Sequence, residues 1–240
     1  MTTASMTAEL SSRKDWAQAF GALRKLLSNN DDTVQVFRIM RALNVGTTKS
    51  GYERLLTTAE GGRIAYHRLE LAELLSDPEF VGRFPVGSVG AAYRGFLEQT
   101  GHSAGGLAQV SRTDDLVRDV PHPYAWYGRR TRDIHDIWHL LTGYPADEPL
   151  GEACLTAFSY AQTGGPGWAL IAIGAAVRSL SSATTRPAVR AIWEGYRNGR
   201  RAAWLPGEDY ELLLAEPLES ARKRLKIRVP AAYQAITRTT

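Results

Sequence analysis

Two histidines four residues apart flank an aspartate in the segment His135-Asp136-Ile137-Trp138-His139. Each residue of an α-helix turns by about 100°, so four steps bring His139 to within roughly 40° of His135. Asp136 falls on the same arc, about 60° beyond His139. Glu152 follows across the next turn. His135, Asp136, His139 and Glu152 therefore form a mixed nitrogen and oxygen donor set of the kind that holds a divalent metal.

A plainer reading exists. Arg132 lies one turn before Asp136, so an intrahelical Arg132–Asp136 ion pair beside two ordinary imidazoles would also fit. The scarcity of the residue type argues against it, because the chain has only five histidines and two of them bracket this aspartate. Cys154, the only cysteine, excludes an intrachain disulfide and suits a reducing compartment. It lies about 200° around a helix from Glu152, which favours a buried structural thiol over a metal ligand.

The elements that must carry these residues are helical. The chain has 240 residues, 44% hydrophobic and 22% charged, as expected of an ordinary folded domain. Helical periodicity dominates and no run of alternating strands stands out, which predicts an all-α fold. The expected organisation is a disordered leader over 1–11 and a single multi-helix domain over 12–240, with the metal site at the junction of two helices. No stretch approaches the ~20 apolar residues needed to cross a bilayer.

The periodicity predicts a first helix over 12–28, with Trp16, Phe20, Leu23 and Leu27 inward. A second should run through Val34, Phe37, Met40 and Leu43, capped by Asp31 or Asp32. A loop is expected over 44–51, a helix over 63–76, and Asp77-Pro78 as the start of another. Residues 101–121 read as an exposed, mobile link. The motif helix should begin after Pro123 and end near Gly143, with Ile134, Ile137, Trp138 and Leu141 placing the ligands at the border of the core. Glu152 then opens a helix after the Pro145–Pro149 turn, bringing its carboxylate back towards His139. Small residues at Gly174, Ala175 and Ala176 fit either close helix packing or one wall of an isoprenoid groove. A helix is expected after Pro187 with Ile192, Trp193 and Tyr196. The last should run from Pro217 to about Arg228, its Arg222, Lys223, Arg224 and Lys226 forming a solvated face or a membrane-lying one.

The net charge of +4 is spread along the sequence without one long basic tract. That favours an anionic ligand or surface over nucleic acid, for which no basic stripe interleaved with aromatics is evident.

Three stretches together resemble the coenzyme Q (ubiquinone) biosynthesis protein four family: PVGSVGAAYRGFL at 85–97, RTRDIHDIWHLLTGYPADEPLGE at 130–152, and YRNGRRAAWL at 196–205. Twelve residues separate His139 from Glu152, one more than in the family pattern, an insertion the Pro145–Pro149 turn can absorb. The resemblance implies a mostly helical fold, a divalent metal (zinc by family, with iron or manganese also suited to the donors) and a role on ubiquinone precursors. The implied enzyme performs an oxidative decarboxylation, replacing the carboxylate of a polyprenylated 4-hydroxybenzoate-derived ring with a hydroxyl. Asp136 and Glu152 would be catalytic as well as ligating, and Arg130 and Arg132 would bind the ring carboxylate. The implied partners are a polyprenyl-phenol lipid, other ubiquinone-biosynthesis enzymes and a membrane surface, with a homodimer left open. The implied location is the inner face of a bacterial cytoplasmic membrane, or the matrix side of the mitochondrial inner membrane.

Two competing functions follow from the same residues. One is a non-catalytic lipid-binding organiser whose metal merely ties two helices together. The other is a phosphate-ester hydrolase built on the His-Asp pair, which would need a further histidine (His67, His102 or His122) and a further aspartate (Asp147 or Asp209).

Overall fold

The computed structural model describes residues 13–29, 32–101, 103, 105–112, 121–179 and 185–238. Among them there is no strand, only an isolated bridge between Ser88 and Pro217. The fold is all-α. The expected leader over 1–11 lies outside the described residues, as do His102 and residues 113–120 of the expected link.

Among the described residues ten α-helices lead up to and include the metal motif: α1 (Trp16–Ser28), α2 (Thr33–Leu43), α3 (Thr47–Leu56), α4 (Gly61–His67), α5 (Leu71–Ser76), α6 (Pro78–Gly82), α7 (Val89–Thr100), α8 (Gly106–Arg112), α9 (Pro123–Asp133) and α10 (His135–Thr142). Six more follow: α11 (Pro149–Thr163), α12 (Pro166–Ser179), α13 (Thr185–Arg201), α14 (Tyr210–Ala215), α15 (Leu218–Arg224) and α16 (Ala231–Thr237).

The framework of the core is α11 laid along α13, with α12 packed against both. Gly195 and Gly199 make that approach possible, since four residues apart they share one face of α13. A Cβ on Gly195 would stand 2.4 Å from the Cys154 carbonyl oxygen, and one on Gly199 2.6 Å from that of Phe158. The expected small-residue packing of α12 is also present, with Gly174 against Leu23 of α1. Cys154 is fully buried in this core, where burial pushes its thiol well above the ordinary range.

Several sequence expectations need correction. In α1 the buried positions are Ala19, Ala22, Leu23 and Leu26, while Trp16 and Phe20 face outwards. The inward face is set by small residues that permit contact with α2 and α12, and large apolar size alone misplaced it. The expected loop at 44–51 is the start of α3, entered through Gly46 in the left-handed region. The single helix expected over 63–76 is two, separated at Arg68, whose φ of 47° ends α4. Part of the expected link is α8. The motif helix is interrupted at Ile134, giving α9 and α10. The expected basic helix stops at Arg224, and α16 follows it.

The arginines of α13 are less dispersed than the sequence suggests. Arg186, Arg190, Trp193, Arg197, Arg200 and Arg201 are all exposed and fall within about 120° of helical arc. A basic stripe broken by one tryptophan thus exists, contrary to the sequence expectation.

Candidate metal centre

The α10 helix is only eight residues long, and all but Leu140 are buried. Ile134, Ile137, Trp138 and Leu141 anchor it in the main core, as their spacing predicts. Trp138 donates its indole N–H to the Tyr210 hydroxyl at 2.7 Å, which fixes the helix against α14. Gly143, with a φ of 74°, caps α10 and turns the chain towards α11. Pro149 at the first position of α11 then starts the helix that brings Glu152 back.

These constraints bring His135, His139 and Glu152 together, one ligand atom from each lying within 4.8 Å of the others. His139 Nε2 is 2.9 Å from one Glu152 oxygen, and His135 Nε2 is 3.8 Å from the other. The imidazole centroids are 4.9 Å apart. Trp168 stacks on His135 at 5.3 Å with the planes 6° apart, and Phe96 lies over His139 at 6.2 Å. Both histidines are buried, whereas the Glu152 side chain is 42% exposed. The centre therefore has an aromatic floor and one side open to solvent.

Each imidazole has a different electrostatic setting. His139 Nδ1 lies 2.8 Å from the Tyr144 carbonyl oxygen, which can only accept, so Nδ1 carries a proton and Nε2 faces Glu152. Burial lowers the His139 pKa, but the Glu152 charge and hydrogen bond and the Tyr144 carbonyl outweigh it, so the net shift is upwards. Burial dominates at His135 and holds it below its ordinary value despite the nearby Glu152 charge.

A divalent cation fits this donor set. His135 Nε2 is buried without a hydrogen-bond partner, a cost that a bound cation would remove. The contact of His139 Nε2 with a carboxylate likewise requires positive charge between them, from a proton or a metal. The Tyr144 carbonyl supplies the outer contact that sets tautomer and ring orientation in metal-binding histidines.

The other sequence candidates lie around this cluster or away from it. Asp136 is buried and is not one of the three clustered residues, but its charge acts on both imidazoles and on buried Tyr93. Arg132 pairs with Asp133 at 2.7 Å and donates to Ser111, so the Arg132–Asp136 pair of the plainer reading does not form. Arg130 is buried, donates to the Glu208 carbonyl and lies over the Trp126 and Tyr210 rings. Among the described residues, none of His67, His122, Asp147 and Asp209 joins the cluster. The sequence does not assign Tyr144, Phe96 or Trp168 to this centre. Only the position of Tyr144 directly after the capping glycine was a usable sequence signal.

The fold and site define an all-helical protein with a buried two-histidine, one-carboxylate centre opening to solvent. The family model described as coenzyme Q (ubiquinone) biosynthesis protein Coq4 matches residues 11–231, and the chain belongs to that family. It is 30% identical over 190 residues to a mitochondrial ubiquinone biosynthesis protein of Pyrenophora tritici-repentis, covering 77% of this chain and 61% of that one. It is 29% identical over 184 residues to a mitochondrial COQ4 homolog of Bos taurus, covering 77% of this chain and 67% of that one. The chain thus spans roughly three fifths to two thirds of the length of these curated relatives. A Nostoc punctiforme crystal structure described as that of a ubiquinone biosynthesis protein superposes with a TM-score of 0.64 at 20% identity. It covers 90% of this chain and 99% of that one, a likeness that concerns the fold.

Proposed function

We propose that the chain acts in ubiquinone biosynthesis as a metal-dependent enzyme that exchanges the ring carboxylate of a polyprenylated 4-hydroxybenzoate-derived precursor for a hydroxyl. The observation that carries this reading is the combination of the unpartnered His135 Nε2 with a half-exposed Glu152. A purely structural metal site is closed by protein on every side, and the 42% exposure of the Glu152 side chain supports one reached from solvent.

The reaction breaks the bond between ring carbon and carboxylate and forms a ring carbon–oxygen bond. With dioxygen as oxidant, two electrons from a reductant and three protons, the carboxylate gives the phenol, carbon dioxide and water. A bound divalent metal, with iron and manganese suited to redox chemistry and zinc to Lewis-acid chemistry, supplies charge stabilisation for the carboxylate and phenol oxygens. In this reading His135 and His139 hold it as neutral imidazoles and Glu152 completes the set from the open side. Asp136 contributes negative charge from the buried flank. Glu152, being partly solvated, can also accept the phenol proton and pass it to water. Trp168 and Phe96 wall the site and exclude water from the two imidazoles. Arg130 and Arg132 are engaged elsewhere, so recognition of the substrate carboxylate falls mainly to the cation.

The substrate's apolar tail implies access from a bilayer. Among the described residues no helix is long and apolar enough to cross a membrane. The exposed arginine stripe of α13, with Trp193 within it, supports contact with an anionic membrane surface. The same face favours the second reading, a non-catalytic organiser docked on lipid.

The test is a carboxyl-labelled polyprenyl-4-hydroxybenzoate derivative incubated with the protein, dioxygen, a reductant and Fe(II), Mn(II) or Zn(II) in turn. Release of labelled carbon dioxide with a hydroxylated product, abolished in His139→Ala, is expected. No release with any metal, from protein shown to be folded and metal-loaded, would leave the organiser reading in its place.

A further inference from the structure

The helix that carries both histidines is short, and about two turns of isolated helix are unstable in water. Its C-terminal carbonyls must be satisfied from outside the helix, and the last turn is the one holding His139. The Gly143 amide reaches the His139 carbonyl at 2.9 Å. The next two carbonyls are taken by one side chain from far along the sequence. Arg222 on α15 donates Nη2–H to the Leu140 carbonyl at 2.9 Å and Nε–H to the Leu141 carbonyl at 3.0 Å.

We infer that Arg222 is a positioning residue for the metal centre, clamping the last turn of α10 so that His139 keeps its place against Tyr144 and Glu152. The proposal rests on the metal reading above and adds a residue to it that touches no ligand atom. Three features support the role. The planar guanidinium forks across two successive carbonyls, a pattern that a lysine point charge cannot reproduce. Its positive charge sits at the C-terminal end of the helix dipole, where a cation is favoured. The remaining amino group pairs with Glu219 at 2.7 Å, which steadies the fork from its own helix.

The rest of the C-terminal region braces the same corner. Tyr233 on α16 meets the Tyr144 ring edge-on at 5.9 Å and donates its hydroxyl to Glu148, just before α11. The backbone that presents a carbonyl to His139 is therefore held from the same region that holds the end of α10. Arg224, two residues on, serves as a control. It pairs with Glu208 and Glu216 and makes no contact with α10 among its hydrogen bonds.

The experiment compares Arg222→Gln, Arg222→Lys and Arg224→Gln with the wild-type chain in two measurements. Amide hydrogen exchange on metal-free protein reads the opening of the α10 end at Gly143, and competition with a chelator reads Zn(II) affinity well below the unfolding temperature. Arg222→Gln should speed Gly143 exchange and weaken Zn(II) binding by up to about tenfold, the lower end of what losing a contact made directly to a ligand costs. Arg222→Lys should recover only part of the loss, and Arg224→Gln should leave both readouts near wild type. Equal Gly143 exchange in Arg222→Gln and Arg224→Gln would overturn the positioning role, as would equal Zn(II) affinity in these two proteins where wild type binds Zn(II). If wild type binds no Zn(II) and the exchange contrast persists, the clamp on His139 stands and the metal reading falls. Should Arg222→Gln fail to fold, the graded response of Arg222→Lys decides the matter by the same two measurements.

Discussion

His139 and Glu152 approach to 2.9 Å, nitrogen to carboxylate oxygen, while the other ring nitrogen of His139 is already committed to the Tyr144 carbonyl. Without a metal this contact needs a proton on Nε2; with one, the same lone pair faces the cation. Metal and proton therefore compete for one atom, and binding near neutral pH should release protons. Titration calorimetry with Zn(II) in buffers of different ionisation enthalpy measures the number released. No buffer dependence would show that His139 is already neutral in the metal-free protein.

Removing any one of the three clustered side chains should reduce metal binding sharply. His135→Ala, His139→Ala and Glu152→Ala are each expected to lower affinity by about 100-fold or more, since three protein ligands leave little redundancy. Asp136→Asn should cost less, on the order of tenfold, because its charge acts from outside the cluster. Elemental analysis of proteins purified in parallel checks the order. Equal metal content in wild type and His135→Ala would show that the cluster is not the site.

The two histidines should act on stability with opposite signs in metal-free protein. His135 is held below its ordinary value of 6.5 by burial, so the unfolded chain takes up a proton that the folded one refuses. The stability present above 6.5 is then lost as pH falls towards the folded value. His139 is raised, so its contribution is fully present below 6.5 and is lost as pH rises through its higher folded value. Between about pH 7.5 and about pH 5.5, chelator-treated His135→Asn should lose less stability than wild type. His139→Asn should lose more over the same interval. Denaturant unfolding at the two pH values measures both, and parallel behaviour of the two variants would contradict the opposite settings.

The parts of this site that were legible in the sequence were those set by local periodicity. His135 and His139 share a face because they are four apart on one helix, and the helix expected after the Pro145–Pro149 turn does return Glu152, although it starts at Pro149 and not at Glu152. The neighbours of those residues were not legible. Asp136 lies on the expected arc yet falls outside the cluster, because distance to a ligand on α11 depends on how two helices cross. The Arg132–Asp136 pair of the alternative reading is replaced by Arg132–Asp133 beside the interruption at Ile134. Arg222 looked like part of a surface charge run, and only tertiary packing shows its contact with the end of α10. In α1, Ala19 and Ala22 are buried in place of Trp16 and Phe20, since a close helix crossing favours small residues.

The crossing of α11 and α13 gives a stability prediction that involves no metal. Gly195→Ala would put a methyl group 2.4 Å from the Cys154 carbonyl oxygen, where backbone and not a flexible side chain must move. Overpacking of this kind costs about 1–3 kcal/mol or more. Gly62→Ala, in open space on α4, should be neutral to stabilising, with a gain of up to about 1 kcal/mol from helix propensity. Denaturant midpoints of the two variants should therefore fall on opposite sides of wild type or nearly so. A Gly195→Ala protein as stable as wild type would show that the helices can separate at little cost.

The two basic surfaces make different predictions for membrane contact. On α15, Arg222 is bound to α10 carbonyls and Arg224 to Glu208 and Glu216, which leaves that helix poorly suited to attract lipid. On α13, Arg190, Trp193 and Arg197 point to solvent along one arc. Each basic residue near an anionic surface contributes about 1 kcal/mol, and the effect weakens with salt. Arg190→Glu combined with Arg197→Glu should therefore reduce sedimentation with phosphatidylserine-containing vesicles by at least about tenfold. Lys223→Glu combined with Lys226→Glu should reduce it much less, and Trp193→Ala should weaken the binding that survives high salt. Equal vesicle binding by the two charge-reversed proteins would mean that α13 is not the surface facing lipid.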